Sequence, residues 1–153
     1  MTIQEDIEPA MTFEKLNDDT HCDCLKDAEG NYDDTFSRRI NKGTLRDKDF
    51  VSKWEKGQRP EGNDCKDVCS FKGISVNLYK NNHDSIIKKY IQSFKISPGY
   101  RAYCCMFRFK KNSGKVKHTP GWRDDSHYDF FKCDSFSIND IEVVQCFSLS
   151  EHV

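Results

Sequence analysis

The sequence has no long apolar run. None of its 153 residues belongs to a stretch approaching the roughly 18–20 consecutive apolar residues that a transmembrane helix needs. The first sixteen residues, MTIQEDIEPAMTFEKL, are acidic and lack the apolar centre of a secretory signal. We therefore expect no membrane association and a location in the cytoplasm.

The signatures of several large enzyme classes are also missing. The sequence contains no P-loop, no G-x-G-x-x-G, no G-x-S-x-G, no EF-hand loop and no set of kinase motifs. It has no internal repeat and no low-complexity tract. These absences disfavour an NTPase, a Rossmann dehydrogenase and an α/β-hydrolase.

Aromatic residues, by contrast, are plentiful. Eleven Phe, six Tyr and two Trp argue against disorder, because disordered chains are poor in aromatic side chains. The length suits one domain with a core built on aromatic rings. We expect an acidic, partly irregular N-terminal arm at 1–34, followed by a single domain at 35–153.

Hydrophobic periodicity and turn residues indicate the order of the elements. We predict strands at 32–40, 71–79, 100–111, 115–119, 128–133 and 141–149. We predict helices at 47–56 and 83–94, the second capped by Asn82, with a loop at 58–66 and a helical turn at 137–140. A hairpin turn at 112–114 is expected to pair the strands on either side of it.

Alternation within two strands predicts which side chains share a face. In 100–111, one face holds Tyr103, Cys105, Phe107 and Phe109, and the other holds Ala102, Cys104, Met106, Arg108 and Lys110. In 141–149, one side holds Ile141, Val143, Phe147 and Leu149. The fold class expected is α+β: a single domain with a mostly antiparallel sheet of about five strands and two main helices.

Charge is distributed unevenly behind a net charge of −1. Residues 1–34 hold eleven carboxylates against Lys15 and Lys26, whereas 85–123 holds ten Lys or Arg and no Asp or Glu. Cations among aromatic rings suit a polyanion, because they neutralise phosphates while the rings stack on bases. The alternative is ordinary solvated charge, covered in part by the acidic arm. The predicted binding residues are Arg39, Lys88, Lys89, Arg101, Arg108, Lys110, Lys111, Lys115 and Lys117.

Four cysteines form two close pairs, Cys22 with Cys24 and Cys65 with Cys69. Four thiolates can hold one structural zinc, which would fix the arm to the domain. Cys22 and Cys24 are closer than in the usual C-x2–4-C knuckle, and neither pair is flanked by the usual glycine turn, so four reduced thiols are the alternative in a reducing cytoplasm. The other cysteines, at 104, 105, 133 and 146, are expected in the core.

Two histidines lie nine residues apart at the two ends of a loop. His118 and His127 would face each other across a cleft, one as general base and the other as general acid, with Asp125 or Asp129 orienting a ring. The alternative is that each is an ordinary surface or core histidine.

An arginine pair, Arg38 and Arg39, occupies the first strand, with Gly73 and Ser75 at the start of a later one. Arginine suits bidentate binding of phosphate or carboxylate. An Arg on one strand and a Ser on the next resembles the layout of ADP-ribosyltransferase-like domains, which implies catalytic roles for Arg38 and Ser75. The glutamate that such enzymes carry before their last strands has no counterpart beyond Glu142, inside INDIEVV.

These features predict a small binding or accessory protein whose basic, aromatic segment 85–123 contacts an acidic partner, either nucleic acid or an acidic protein face. One alternative is a small enzyme acting on a nucleotide or nucleic acid through His118, His127, Arg38 and Ser75. Another is a zinc-stapled protein-interaction module. A component of a defence or toxin–antitoxin system is compatible with this small, charged chain.

Overall fold

The structure, a computed structural model, describes residues 11–16, 21–80, 83–121 and 124–153. In these residues the strands are β1 (Thr35–Ile40), β2 (Ile74–Tyr79), β3 (Tyr103–Phe109), β4 (Gly114–His118), β5 (His127–Lys132) and β6 (Ile141–Ser148). The helices are α1 (Cys65–Lys72) and α2 (His83–Ser93), with short 3-10 turns at Asp47–Phe50, Ile138–Asp140 and Ser150–His152. The predicted cap Asn82 lies outside the described residues.

The strands form a single sheet in the order β4-β5-β2-β1-β3-β6, and every neighbouring pair is antiparallel. The α+β prediction is confirmed, with six strands in the described chain where about five were expected. Each strand lies within about three residues of its predicted position, because alternating apolar side chains mark a half-buried strand directly.

The expected hairpin of β3 with β4 is wrong. The two strands follow each other in the chain, but β5, β2 and β1 separate them in the sheet. Phe109 of β3 and Val116 of β4 nevertheless belong to one hydrophobic cluster, so the sheet must curve strongly enough to bring the strands together over that cluster. The turn residues at 112–114 predict a hairpin from the local sequence alone, whereas the ladder partners of β3 are β1 and β6 and that of β4 is β5.

The helix predicted at 47–56 is also wrong. Only Asp47–Phe50 is helical, as a 3-10 turn that places Phe50 fully inside the core. The first α-helix comes later, at α1, in a region predicted partly as loop. Asp64 caps it by accepting a hydrogen bond from the backbone of Lys66 at 2.9 Å, and Gly73 follows its last residue.

The core lies on one face of the sheet and is largely aromatic, as predicted. Its buried rings come from the 3-10 turn and from three strands, β1, β3 and β5: Phe36, Phe50, Phe107, Phe109 and Phe130. Phe109 stacks on Phe130 with ring centroids 4.2 Å apart. The predicted division of β3 is confirmed, because Cys105, Phe107 and Phe109 join this core while Ala102 and Cys104 join a second cluster.

The opposite face of the sheet carries two smaller clusters. In one, Ile86, Ile87 and Tyr90 of α2 pack on Ala102 and Cys104. The other places Val68 of α1 against Phe131 of β5 and two cysteines from the N-terminal arm, Cys22 and Cys24. Between the two clusters, the middle of this face is polar, and it opens into a cleft.

The described parts of the arm pack against the domain. Phe13 is buried, and Asp134 accepts hydrogen bonds from the Thr12 hydroxyl at 2.7 Å and the Glu14 backbone at 2.9 Å. Glu29 forms a bridge with Val116 of β4. In the described chain, no ion pair joins an arm carboxylate to a cation of 85–123.

Candidate anion-binding cleft

A split between β1 and β2 opens the cleft. The two strands pair only at Thr35–Tyr79, Phe36–Leu78 and Ser37–Asn77. Beyond these pairs β1 continues along β3 as far as Ile40, and β2 continues along β5 back to Ile74. The edges that face each other across this gap are therefore not joined by a ladder.

The guanidinium of Arg38 spans the gap. Its Nε donates to the carbonyl of Asp49 at 2.8 Å, and its Nη1 donates to the carbonyl of Ser75 at 2.6 Å. Burial lowers the pKa of Arg38 below its usual value. The bond to Ser75 satisfies a backbone oxygen of β2 beyond the last β1–β2 pair, which gives Arg38 a structural role in joining β1, β2 and the 3-10 turn.

The cleft has a volume of about 420 Å³, and its wall is rich in cations. Five lysines or arginines line it: Arg38, Arg39, Lys53, Lys56 and Lys89. The same wall includes Asp124, whose carboxylate forms an ion pair with Lys89. Cations therefore outnumber carboxylates around the opening, which favours an anionic ligand.

Arg39 is the cation best placed to bind an anionic ligand. It follows Arg38 on β1, so its side chain leaves the opposite face of the sheet and enters the cleft. Its guanidinium carbon lies 4.9 Å above the ring of Phe94, and its Nε is buried with no hydrogen-bond partner. The buried Nε is out of reach of a ligand, so an anion in the cleft would be bound by the rest of the guanidinium, whose planar fork of donors suits an oxyanion.

A hydrogen-bonded network forms the floor beside it. The Tyr90 hydroxyl donates to Asn77 Oδ1 at 2.9 Å and lies 3.0 Å from Ser37 Oγ. Asn77 Nδ2 in turn donates to Ser126 Oγ at 3.0 Å and to Asp124 Oδ1 at 3.3 Å. Burial raises the pKa of Tyr90, so this hydroxyl keeps its proton and fixes the orientation of the Asn77 amide.

Asp124 stays ionised within this network. Burial opposes its ionisation, but hydrogen bonds from Lys89, Ser126 and Asn77 outweigh that effect and lower its pKa. The pairing uses the charge of Lys89, so the cations left for a ligand are chiefly Arg39, Lys53 and Lys56.

His127 and Asp129 stand on the same face of β5, opposite Asn77 and Ser75 of β2. His127 lines the cleft, and its Nδ1 lies 2.9 Å from the hydroxyl of Thr119 and 3.0 Å from the Thr119 carbonyl. Asp129 is only 5% exposed and packs against Gly73, where an added Cβ would approach the Asp129 Cβ to 2.8 Å. Burial raises the pKa of Asp129 to about 6, against the opposing effects of His127, Thr119 and Lys117.

The structure does not bring His118 to this site. His118 pairs with Tyr128 in the ladder of β4 and β5, and its ring packs on Tyr128 at 4.8 Å. Tyr128 and His127 are consecutive, so they point to opposite faces of the sheet. The two histidines therefore do not face each other across one cleft, as the sequence prediction required, and only His127 lines the cleft.

The cations of 85–123 do not form one surface. Lys89 lines the cleft and Lys88 is exposed on α2, whereas Arg108 lies on β3 opposite Glu142. Lys115 and Lys117 lie on β4, at the far edge of the sheet from Arg108. Lys110 donates to the carbonyl of Asn139 at 2.9 Å, and Arg101 and Lys111 are exposed away from the cleft lining. These cations are close together in the sequence, but the fold places them on different elements, namely α2, β3, β4 and the segments between them.

The arginine and serine of the ADP-ribosyltransferase-like layout are neighbours, through the bond from Arg38 to the Ser75 carbonyl. Glu142, however, is exposed on β6 at the edge of the sheet, with β1 and β3 between it and β2. It does not line the cleft.

The four clustered cysteines do meet, but as two disulfides, Cys22–Cys65 and Cys24–Cys69. Zinc binds thiolates, and sulfur atoms that are bonded to each other cannot supply them. The predicted zinc site and the alternative prediction of four reduced thiols are therefore both wrong. Among the described residues, no three His, Cys, Asp or Glu side chains are placed to hold a metal ion. Cys104, Cys105 and Cys133 are buried as expected, and Cys146 is partly buried.

Comparison with known proteins finds no relative. No protein-family model, curated protein or solved structure matches the chain. Within the described part of the chain, no helix combines the length and the apolar character needed to cross a bilayer.

Several cleft residues escaped the sequence prediction. Lys53, Lys56, Asn77, Tyr90 and Asp124 all line the cleft. Lys53 and Lys56 lay inside the helix predicted at 47–56, and Tyr90 belonged to an apolar stripe that predicted only packing. The polar Asn77, alternating with Val76 and Leu78 on a central strand, was the signal available in the sequence.

Proposed function

We propose that this protein binds a phosphate-bearing ligand, a nucleotide or a nucleic-acid segment, in the cleft between β1 and β2. The observation that supports this most directly is the guanidinium of Arg39 in the wall of a cation-rich cleft of about 420 Å³. A guanidinium presents a planar fork of donors that matches the oxygens of a phosphate. Under this proposal, the acidic partner expected from the sequence binds in the cleft and does not contact the whole of the segment 85–123.

The ring of Phe94 supports a nucleotide as the class of ligand. It lines the cleft, is 45% exposed, and lies against the Arg39 guanidinium. An aromatic ring beside a phosphate-binding cation offers a base a surface for stacking, worth about 1–3 kcal/mol per base. Lys53 and Lys56, which also line the cleft, would contact further phosphates.

Binding of a fluorescent nucleoside triphosphate and of a short single-stranded oligonucleotide tests the proposal. Arg39→Ala should weaken binding by roughly tenfold or more, because a hydrogen bond to a charged group is worth about 1.5–3 kcal/mol. Arg108→Ala removes an equal charge from the same face of the sheet, outside the cleft, and should leave the affinity within about twofold. Equal losses in the two variants, or no binding by the unmodified protein at low salt, would rule the cleft out.

A second candidate, catalysis on the bound nucleotide, has support from His127. Its ring is held at Nδ1 by Thr119 and lies in the same cleft as Arg39, where it could transfer a proton. Under this candidate, His127→Ala abolishes turnover of a nucleotide while its affinity changes by less than about threefold. Turnover that survives in His127→Ala removes the candidate and leaves binding alone.

The disulfides also bear on where the protein acts. The sequence predicted a cytoplasmic protein, but disulfides persist mainly in oxidising compartments. We propose that the folded protein works where Cys22–Cys65 and Cys24–Cys69 stay oxidised. Alkylation of protein taken directly from its source, before any exposure to air, should leave Cys22, Cys24, Cys65 and Cys69 unlabelled.

A further inference from the structure

Two free cysteines face each other across the strand pair β3 and β6. Cys105 and Cys146 are direct partners in that ladder. Opposed residues of antiparallel strands have Cα atoms about 4.5–5.5 Å apart, inside the range that a disulfide spans. Both thiols lie at the aromatic core, Cys105 buried within it and Cys146 at its partly exposed edge.

The two thiols differ in a way that assigns them separate roles. A hydrogen bond between them lowers the pKa of Cys146 and raises that of Cys105. The Cys105 thiol also donates to the carbonyl of Met106 across 3.9 Å. Cys146 is thus the more readily ionised and the more accessible thiol, which makes it the nucleophile towards a reagent from solvent.

The two other free cysteines lie elsewhere. Cys104 precedes Cys105 and so points to the opposite face, where it packs with Ala102 and Leu149. Cys133 follows β5, and its sulfur lies 3.1 Å from the carbonyl of Asn112. Neither is the ladder partner of Cys146, so each serves as a control within the same chain.

We propose that Cys105 and Cys146 form an oxidisable dithiol that a small-molecule disulfide, such as oxidised glutathione, closes into a third disulfide. The Cys146 thiolate attacks one sulfur of oxidised glutathione, forming a mixed disulfide and releasing one glutathione thiolate. Cys105 then loses its proton and attacks the Cys146 sulfur, and the second glutathione leaves as a thiolate. Two protein thiols are oxidised, one disulfide is reduced, and the two protons go to the departing glutathiones.

The full-length protein, incubated with oxidised glutathione and then alkylated, tests this by peptide mapping. We expect a Cys105–Cys146 cross-link without glutathione attached, and alkylation at Cys104 and Cys133. Cys105→Ser should stop at the mixed disulfide, with one glutathione on Cys146. Cys146→Ser should gain neither the glutathione nor the cross-link, and Cys104→Ser should behave as the unmodified protein does.

Three outcomes overturn the proposal. The first is four alkylated thiols in the folded, glutathione-treated protein. The second is a cross-link that contains Cys104 or Cys133. The third is a Cys146→Ser variant that is still modified at Cys105. A Cys105→Ala variant, which keeps a small apolar group in the core, repeats the trapping experiment if the serine variant does not fold.

Discussion

Asp129 shows how one buried carboxyl can make stability depend on pH. It has little contact with water, and burial raises its pKa to about 6, above the roughly 3.9 of an unfolded aspartate. The folded state then holds more protons than the unfolded state between about pH 4 and pH 6. The free energy of unfolding should therefore fall as pH rises through that interval and level off above it.

Asp129→Asn tests this, because the amide resembles the protonated carboxyl in shape and never ionises. We expect the variant and the unmodified protein to be similar near pH 4, and the variant to be more stable by roughly 1–3 kcal/mol at pH 8. Denaturant unfolding at a series of pH values gives the comparison. Asp125→Asn removes an exposed carboxylate nearby and should show no such divergence. Parallel curves for Asp129→Asn and the unmodified protein would mean that the native carboxylate is stabilised by His127 and Lys117 as fully as it is in water.

Among the elements, the two disulfides bind the arm to α1 in parallel. They close loops of 43 and 45 residues, so either bridge alone already restricts nearly the same length of unfolded chain. Closing the first such loop is worth roughly 4 kcal/mol by chain entropy, and the second closes only a short additional ring.

The costs of removing the bridges should therefore not add. Replacing Cys22 and Cys65 by Ala, or Cys24 and Cys69 by Ala, should cost roughly 2 kcal/mol each. Replacing all four should cost roughly 6 kcal/mol, well above the sum of the two. Chemical denaturation of the three variants measures the comparison, and each pair is the control for the other. Simple additivity would show that the bridges act through local packing and not through the unfolded chain.

The elements also show where sequence prediction succeeds and where it stops. The periodicity of β3 identified both of its faces correctly, because alternation is a local property of a strand. The same reasoning was wrong for β6, where the register with β3 shifts between Met106 and Phe107 and leaves Val144 as an extra residue. One inserted residue changes the face of those around it, so Ile141 joins the aromatic core while Leu149 joins the cluster under α2. Such a bulge depends on the partner strand, which the local pattern does not contain.

Prediction of the candidate site from the sequence has a similar limit, because it also depends on how strands pair. Arg38, Arg39, Ser75, Lys89 and His127 were all chosen from the sequence, and all five line the cleft. Arg38, Arg39 and Ser75 were chosen as polar groups on strands that suit phosphate binding, Lys89 as part of the cation-only segment, and His127 from its place at the end of a loop. The separate functions of Arg38 and Arg39, one bridging the sheet and one facing the cleft, depend on a ladder that stops after three pairs.

At the scale of the whole molecule, the question is whether an anion responds to the total charge or to its arrangement. The net charge of −1 gives no general attraction for anions, so binding must come from local potential. Lys53→Ala with Lys56→Ala and Lys110→Ala with Lys111→Ala each remove two cations, and both change the net charge by the same amount. The first pair lines the cleft, and the second lies outside it in the basic segment 85–123.

The cleft proposal predicts different results for the two double variants. Loss of Lys53 and Lys56 should weaken binding of the nucleoside triphosphate by roughly tenfold at low salt, with a shallower salt dependence, because fewer screened charges contribute. Loss of Lys110 and Lys111 should change the affinity by less than about twofold. A larger loss of affinity in the Lys110 and Lys111 variant would favour binding by the basic segment 85–123, as the sequence predicted. Equal effects would mean that the anion is held by the diffuse field of the protein, with no specific contribution from the split between β1 and β2.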